Sequence, residues 1–315
     1  MKSALLIHPD EITKKWIDRM LNAGVCTLGI HPKGGIRAPK YLSELLEVIK
    51  TEKFRALIDY AKARGLSVEY EFHAAGYLLP RELFSVHPEY FRVDAQGKRT
   101  NDWNFCVSNE DALSLFAKRA AELALSLYGS EPNFYFWMDD RKDTHCMCER
   151  CRHLSASDQQ LIAVNAMARE IKKHIPNAKV AYLAYMDSIV LPKCVTPEEN
   201  VFLEYAPFEK YTAKGEDAPA LIEREKKMLL PLLDFFGKDG AKVLEYWYDN
   251  SMYSGWEKPP KKFTPDEAAM DADIAYYREL GFEYISSFAC FLGEDYEELY
   301  GDADISEYGK ILALR

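Results

Sequence analysis

Long apolar runs are missing from this sequence. No stretch approaches the roughly 18 consecutive apolar residues of a membrane-spanning helix, which excludes a membrane partner read through such a span. Positive charge is also in deficit: 40 Lys and Arg stand against 50 Asp and Glu, a formal net charge of -10. Sequence-independent nucleic-acid binding needs a basic surface to neutralise phosphate, so that class is excluded and a neutral or cationic small partner fits better. Glycine-rich phosphate turns are absent too. The one dense glycine stretch near a strand end, Lys33-Gly-Gly-Ile-Arg37, matches neither the dinucleotide fingerprint nor a P-loop. Low-complexity linkers and internal repeats are lacking, so no domain boundary is placed and residues 1–315 are read as one domain.

Cysteine is too sparse for a disulfide framework. The seven present are an odd number in a chain too large to need stapling, and three crowd into Cys146, Cys148 and Cys151. That pattern reads as a reduced protein with one local cysteine site. The N-terminus offers only Ala4 to Ile7 as an apolar stretch, too short for the core of a signal peptide. A cytoplasmic location is expected for this sequence, and a secreted or periplasmic one if a leader has been removed.

What is present is an alternation of short apolar or aromatic runs with helical patterns along the whole chain. Expected strands cover Ala4 to His8, Val25 to His31, Ser67 to His73, Phe134 to Asp139, Val180 to Met186, Val201 to Tyr205, Val243 to Tyr248 and Tyr284 to Phe288. Between them, Asp10 is expected to cap a first helix stopped by Gly24, and Gly65 to stop another. Asn109 is expected to cap a helix, and Ser157 with Gln160 and Thr264 with Glu267 to form capping boxes, Pro265 taking the first helical position. Eight strand–helix units of about 40 residues suit an α/β fold of the (β/α)8 TIM-barrel type. A doubly wound open sheet is the alternative. The longest insertion falls at about 74–108 and contains a hairpin at Val93-Asp-Ala-Gln-Gly-Lys98.

In such a barrel the active face lies at the strand C-termini. These ends are rich in acids and rings: His8, His31, His73, Trp137, Asp139 and Asp140, Tyr185, Glu204 and Tyr205, then Glu245, Trp247, Tyr248 and Asp249. The chain carries 20 Tyr, 16 Phe and 5 Trp, and flat rings beside carboxylates are what a sugar site uses. Asp139 and Asp140 end an aromatic strand, and with Glu204 and Glu245 they form the candidate catalytic set, following the paired-carboxylate logic of glycoside hydrolysis. The rings, the histidines and Asp249 form the candidate substrate-binding set. Cys146, Cys148 and Cys151, in a C-x-C-x-x-C spacing, can converge on one tetrahedral zinc. Cys106 is the first choice for fourth ligand, with His145 and His153 as alternatives. Such a zinc is expected to be structural rather than catalytic.

Several of these segments together resemble a bacterial family known as domain of unknown function 4838. The pattern runs through His87-Pro-Glu-Tyr-Phe91, Gly97-Lys-Arg99, Phe105-Cys-Val-Ser-Asn109, the acid and cysteine segment, and Ser157-Asp158. It continues through Val164-Asn165-Ala-Met-Ala168, Pro176, Ala181-Tyr-Leu-Ala-Tyr185, Pro192 and Asn200-Val201, covering about residues 85 to 205. The resemblance implies a carbohydrate-active barrel akin to family 20 hexosaminidases, family 84 enzymes and family 67 α-glucuronidases. By likeness to family 84, Asp139 would orient a substrate acetamide and Asp140 would act as general acid. The function implied is a glycoside hydrolase, hexosaminidase- or α-glucuronidase-like, acting on an oligosaccharide or glycoside. Two alternatives are a non-catalytic sugar-binding barrel and a zinc-dependent hydrolase of a non-sugar substrate.

Overall fold

The computed structural model describes residues 1–313. Eight strands close into a barrel in chain order: β1 (Lys2–Ile7), β2 (Thr27–Ile30), β3 (Ser67–His73), β4 (Asn133–Trp137), β5 (Lys179–Ala184), β6 (Val201–Tyr205), β7 (Lys242–Glu245) and β8 (Tyr284–Phe288). Every neighbouring pair is parallel, and β8 returns to β1 with Lys2 opposite Tyr284. The fold is a (β/α)8 TIM barrel forming a single domain, not an open sheet.

Helices fill the connections: α1 (Lys14–Asn22), α2 (Ala38–Ile49), α3 (Glu52–Ala63), α4 (Ala75–Leu78), α5 (Glu110–Ser126), α6 (Ala156–His174), α7 (Glu209–Thr212), α8 (Ala218–Phe236), α9 (Asn250–Tyr253), α10 (Glu267–Glu279), α11 (Glu294–Tyr300) and α12 (Ser306–Ala313). Asn109 caps α5 by accepting from the Ala112 N–H at 2.9 Å. Gly24 and Gly65, at φ +76 and +96, follow the ends of α1 and α3 in the left-handed region that ends a helix. Three expected caps are displaced. Pro9–Glu11 forms a 3-10 turn, so Thr13 rather than Asp10 caps α1. The capping box of α6 is Ser155 with Asp158, two residues earlier than the expected Ser157 and Gln160. Asp266 caps α10, which leaves Thr264 and Pro265 outside the helix.

Strand parity sorts the side chains into two cores, because successive residues point to opposite faces. The barrel lumen holds Ala4, Leu6, Tyr135, Trp137, Leu183, Phe202, Leu244, Tyr246, Tyr284 and Phe288 as one cluster. The residues between them, such as Leu5, Phe136, Tyr182, Tyr205 and Val243, pack outward against the helices in the larger cluster. Near its N-terminal end the lumen is polar. Lys242, fully buried, lies 2.5 Å from Glu71, 3.4 Å from Glu204 and 3.8 Å from Glu69, and 4.0 Å above the Tyr135 ring. A buried cation shared by three carboxylates is tolerable because their charges replace its lost hydration. Several strands end earlier than their aromatic runs suggest: β4 stops at Trp137 and β7 at Glu245. The acids that follow are therefore carried on loops.

Candidate active site

At the C-terminal mouth of the barrel lies a cavity of about 420 Å³. Its floor and walls are Trp137, Leu183, Leu244, Tyr246 and Phe288 from the lumen, with Tyr41, Phe208, Met252 and Trp256 toward the rim. Trp256 is 65% exposed, an open ring at the entrance. His8, His31, His73, Tyr185, Asp140 and Asp249 also reach this cavity. The approach is close at Gly34, where a Cβ would stand 3.3 Å from His73 Cδ2 and 3.4 Å from Asp140 Oδ2.

Among the described residues, Asp140 and Asp249 are the two carboxylates that line it. Tyr185 donates its hydroxyl to Asp140 Oδ1 at 3.0 Å, and His73 Nε2 lies 4.0 Å from the same oxygen. Asp249 follows β7. Its Oδ1 accepts from the Ser251 N–H at 3.0 Å, the Ser251 hydroxyl at 2.5 Å and the Met252 N–H at 3.2 Å. Oδ2 takes no donor from the described residues. Burial pushes the Asp249 carboxyl above the ordinary range, against the lowering effect of those donors. Tyr246 feels both acids: burial first, then Asp140 and Asp249, holds its phenol well above the usual value and so protonated.

The other expected acids sit elsewhere, and parity or a salt link explains each. Asp139 is clamped by Arg81 Nη2 and the Asn104 N–H, while its own N–H donates to Asn104 Oδ1 at 2.9 Å. It faces a separate narrow cleft of about 60 Å³ and ties the 74–108 segment to β4. Glu204 points into the lumen beneath the cavity floor, accepting from Trp137 Nε1 at 2.7 Å, and is fully buried. Glu245 points outward through the wall. There it accepts from Lys210 at 2.7 Å, from Tyr211 at 2.5 Å and from Tyr277 of α10. Tyr205, Trp247 and Tyr248 share its side of the wall: the Tyr205 hydroxyl donates to the Glu225 carbonyl at 3.2 Å, Trp247 Nε1 to Asp273 at 3.0 Å, and Tyr248 packs on Tyr308. None of these four lines the cavity.

Sequence reasoning passed over Tyr246, which parity identifies, since Leu244 faces the lumen two residues earlier. It also missed Lys33, Phe208 and Trp256, which come from loops with no periodic signal. Glu11 is a further omission. It is buried behind His8 and Cys290, within 4.8 Å of both, and burial pushes it up to about 8.

The cysteines converge. Cys106, Cys146, Cys148 and Cys151 place their sulfurs within 4.8 Å of one another, a group able to hold a metal. Cys106 Sγ lies 3.7 Å from Cys148 and 3.9 Å from Cys151. Tetrahedral thiolate coordination at about 2.3 Å implies sulfur separations of about 3.8 Å, so the spacing fits. The Val93 N–H points at Cys146 Sγ from 3.4 Å, an outer-shell donor of the kind that supports a thiolate. Neither His145 nor His153 joins the group.

The family described as "Domain of unknown function (DUF4838)" matches residues 36–287. The chain belongs to the DUF4838 family. The match extends well past both ends of the 85–205 stretch that carries the resemblance and takes in most of the barrel. No curated protein sequence matches this DUF4838 chain. Among solved structures it is similar to Gan42B, a GH42 beta-galactosidase from G. stearothermophilus, with a TM-score of 0.56 at 12% identity over 99% of this chain and 55% of that one. The cold-adapted beta-galactosidase from Rahnella sp. R3 gives 0.56 at 10% identity, over 99% and 55%. Endo-glycoceramidase II from Rhodococcus sp. gives 0.53 at 9% identity, over 92% and 73%. This chain thus spans about half the length of the two galactosidases, and the likeness is one of fold. No helix among the described residues is long and apolar enough to cross a membrane.

Proposed function

We propose that this DUF4838 protein is a glycoside hydrolase whose working carboxylates are Asp140 and Asp249. The observation that carries the reading is that these two acids, from the loops after β4 and β7, line one ring-walled cavity at the barrel mouth. Two carboxyl groups flanking a bond, one protonated and one ionised, are the minimum apparatus for glycoside cleavage. Burial favours the neutral form of Asp249, with Oδ2 left to carry the proton to a leaving oxygen. Asp140, receiving the Tyr185 hydroxyl, is suited to act as base or nucleophile. This reverses the general-acid role that the family 84 likeness implies for Asp140, and Asp139 becomes a positioning residue through its clamp on Arg81 and Asn104. The rings of Trp137, Tyr246 and Trp256 supply stacking surface.

A chromogenic glycoside panel tests this. Asp140→Asn and Asp249→Asn are each expected to lower kcat/KM by roughly 10²- to 10⁴-fold with unchanged melting. On a dinitrophenyl glycoside, whose leaving group needs no proton, Asp249→Asn should recover most of its activity and Asp140→Asn should not. The wild-type rate should fall as pH rises past the elevated Asp249 pKa, and that basic limb should vanish in Asp249→Asn. Full activity in either variant on the undemanding and demanding substrates alike would overturn the pair.

We further propose that the four cysteines hold a structural zinc. Four thiolates would close its coordination sphere, leaving no position for substrate or water, and none of the four lines the main cavity. The metal would fix the 74–108 segment and the loop after β4 against each other.

A further inference from the structure

Three successive strands end in the same way at the mouth. His8, just past β1, donates its Nδ1–H to the His31 carbonyl at 2.8 Å. His31, just past β2, donates to the Glu71 carbonyl at 2.8 Å, and His73, closing β3, to the Met138 carbonyl at 2.6 Å. A carbonyl only accepts, so each bond places a proton on Nδ1, and in a neutral imidazole Nε2 then keeps its lone pair. All three rings line the cavity and all are more than nine-tenths buried. Their planes are wedged in place: His8 stacks with His31 at 5.9 Å between ring centres, and Trp137 packs on His31 at 5.6 Å and on His73 at 5.1 Å. Burial pushes His8 down to about 4, against the lifting effect of its bond to the His31 carbonyl. Burial, with the nearby His8, sends His31 well below its ordinary value.

Resting on the glycosidase reading, we infer that the histidines form a row of hydrogen-bond acceptors selecting a neutral, polyhydroxylated sugar ring and rejecting a uronic acid. The His8 and His31 ring centres stand 5.9 Å apart, so the ligand must present several hydroxyl donors across one rigid face. Asp140 adds a further acceptor on the same cavity. A ligand carboxylate placed there would meet the Nε2 lone pairs and Asp140, with neutral donors such as the Tyr246 hydroxyl but no buried cation among the described residues to balance its charge. Among the described residues the cavity lining contains no arginine, and its one lysine, Lys33, is exposed at the rim, where an ion pair contributes little. Of the two substrate classes the sequence suggests, this argues against the α-glucuronidase-like one.

The test is binding of free monosaccharides, which cannot be turned over, to the wild-type protein by calorimetry. Galactose is compared with galacturonate and glucose with glucuronate, with N-acetylglucosamine as a further neutral ligand. The neutral member of the best-binding pair is expected to bind at least tenfold tighter than its uronate. Single-deoxy forms of that sugar should lose roughly ten- to a hundredfold for each hydroxyl that meets a histidine, because each strands a buried acceptor. These ligand-side deletions leave the fold untouched. His8→Phe, checked for intact melting, should abolish discrimination at one hydroxyl only. Equal or tighter uronate binding, or deoxy sugars that bind as well as the parent, would overturn the acceptor row while leaving a hydrolase that depends on Asp140 and Asp249 intact. Selective binding of neutral sugars without hydrolysis of any glycoside would keep the row and sink the glycosidase reading. No binding by any sugar, with no hydrolysis, removes both.

Discussion

A single residue's direction decides its role here more than its distance from a strand end. Glu245 and Tyr246 are consecutive, yet one is locked behind the wall by Lys210, Tyr211 and Tyr277 and the other lines the cavity. Burial raises the Glu245 carboxyl while the Lys210 ammonium pulls it back down, so the residue belongs to a buried ion pair. Breaking such a pair from one side leaves the other charge uncompensated. Glu245→Ala is therefore expected to lose about 3 kcal/mol of stability in urea denaturation. Its folded fraction should keep kcat/KM within about twofold of wild type. A large loss of turnover at full stability would return Glu245 to the catalytic set.

At the scale of elements, the loop between β3 and α5 and the loop after β4 are held together by side chains rather than by regular structure. The Arg81–Asp139–Asn104 clamp does this at one end and the four cysteines at the other. Burial would raise Asp158 at the start of α6, but N–H donors from Cys194 and Lys193, together with Ser155, hold its carboxyl below the ordinary range. A further loop is thus pinned to the same helix. If zinc occupies the cysteine site, a thiol reagent should label only the exposed Cys26 and Cys194 in the native protein. Chelation should make Cys106, Cys146, Cys148 and Cys151 reactive and lower the melting temperature by several degrees, with one zinc released per chain by elemental analysis. Native protein with six reactive thiols and no bound metal would refute the site.

Across the whole molecule, the Lys242 cluster couples strands from opposite sides of the barrel: Glu69 and Glu71 on β3, Glu204 on β6 and Lys242 on β7. Burial and the other carboxylates raise Glu71 well above the usual range in spite of Lys242. Glu71 Oε2 and Glu204 Oε1 are buried without a hydrogen-bond partner among the described residues, although Lys242 Nζ stands 3.4 Å from Glu204 Oε1. Lys242→Met should destabilise the barrel by about 3–5 kcal/mol. The sign of its pH dependence follows from linkage. Carboxyls raised in the folded state keep protons that the unfolded chain releases above about pH 4.3, so stability is lost as pH rises through that window. Urea midpoints of Lys242→Met should therefore drop more steeply from pH 5 to pH 8 than those of wild type. Equal slopes would show that Lys242 does not govern the cluster.

The amino-acid sequence alone determined the architecture and the cysteine site. Eight short β-branched or aromatic runs separated by helical periodicity leave the chain few ways to bury its apolar faces other than a barrel. The C-x-C-x-x-C spacing brings three thiols together locally, and Cys106 precedes the adjacent helix. The histidines were legible as well, because each stands at a clear strand end. Tertiary structure alone decided which carboxylates share a cavity. Strands that end two or three residues before their aromatic runs put Asp139, Asp140 and Asp249 on loops, where alternation no longer predicts direction. Within the strands, one residue of parity sends Glu204 under the floor and Glu245 through the wall. A salt link to a distant loop removes Asp139, and two acids more than 100 positions apart are left on one cavity by closure of the barrel.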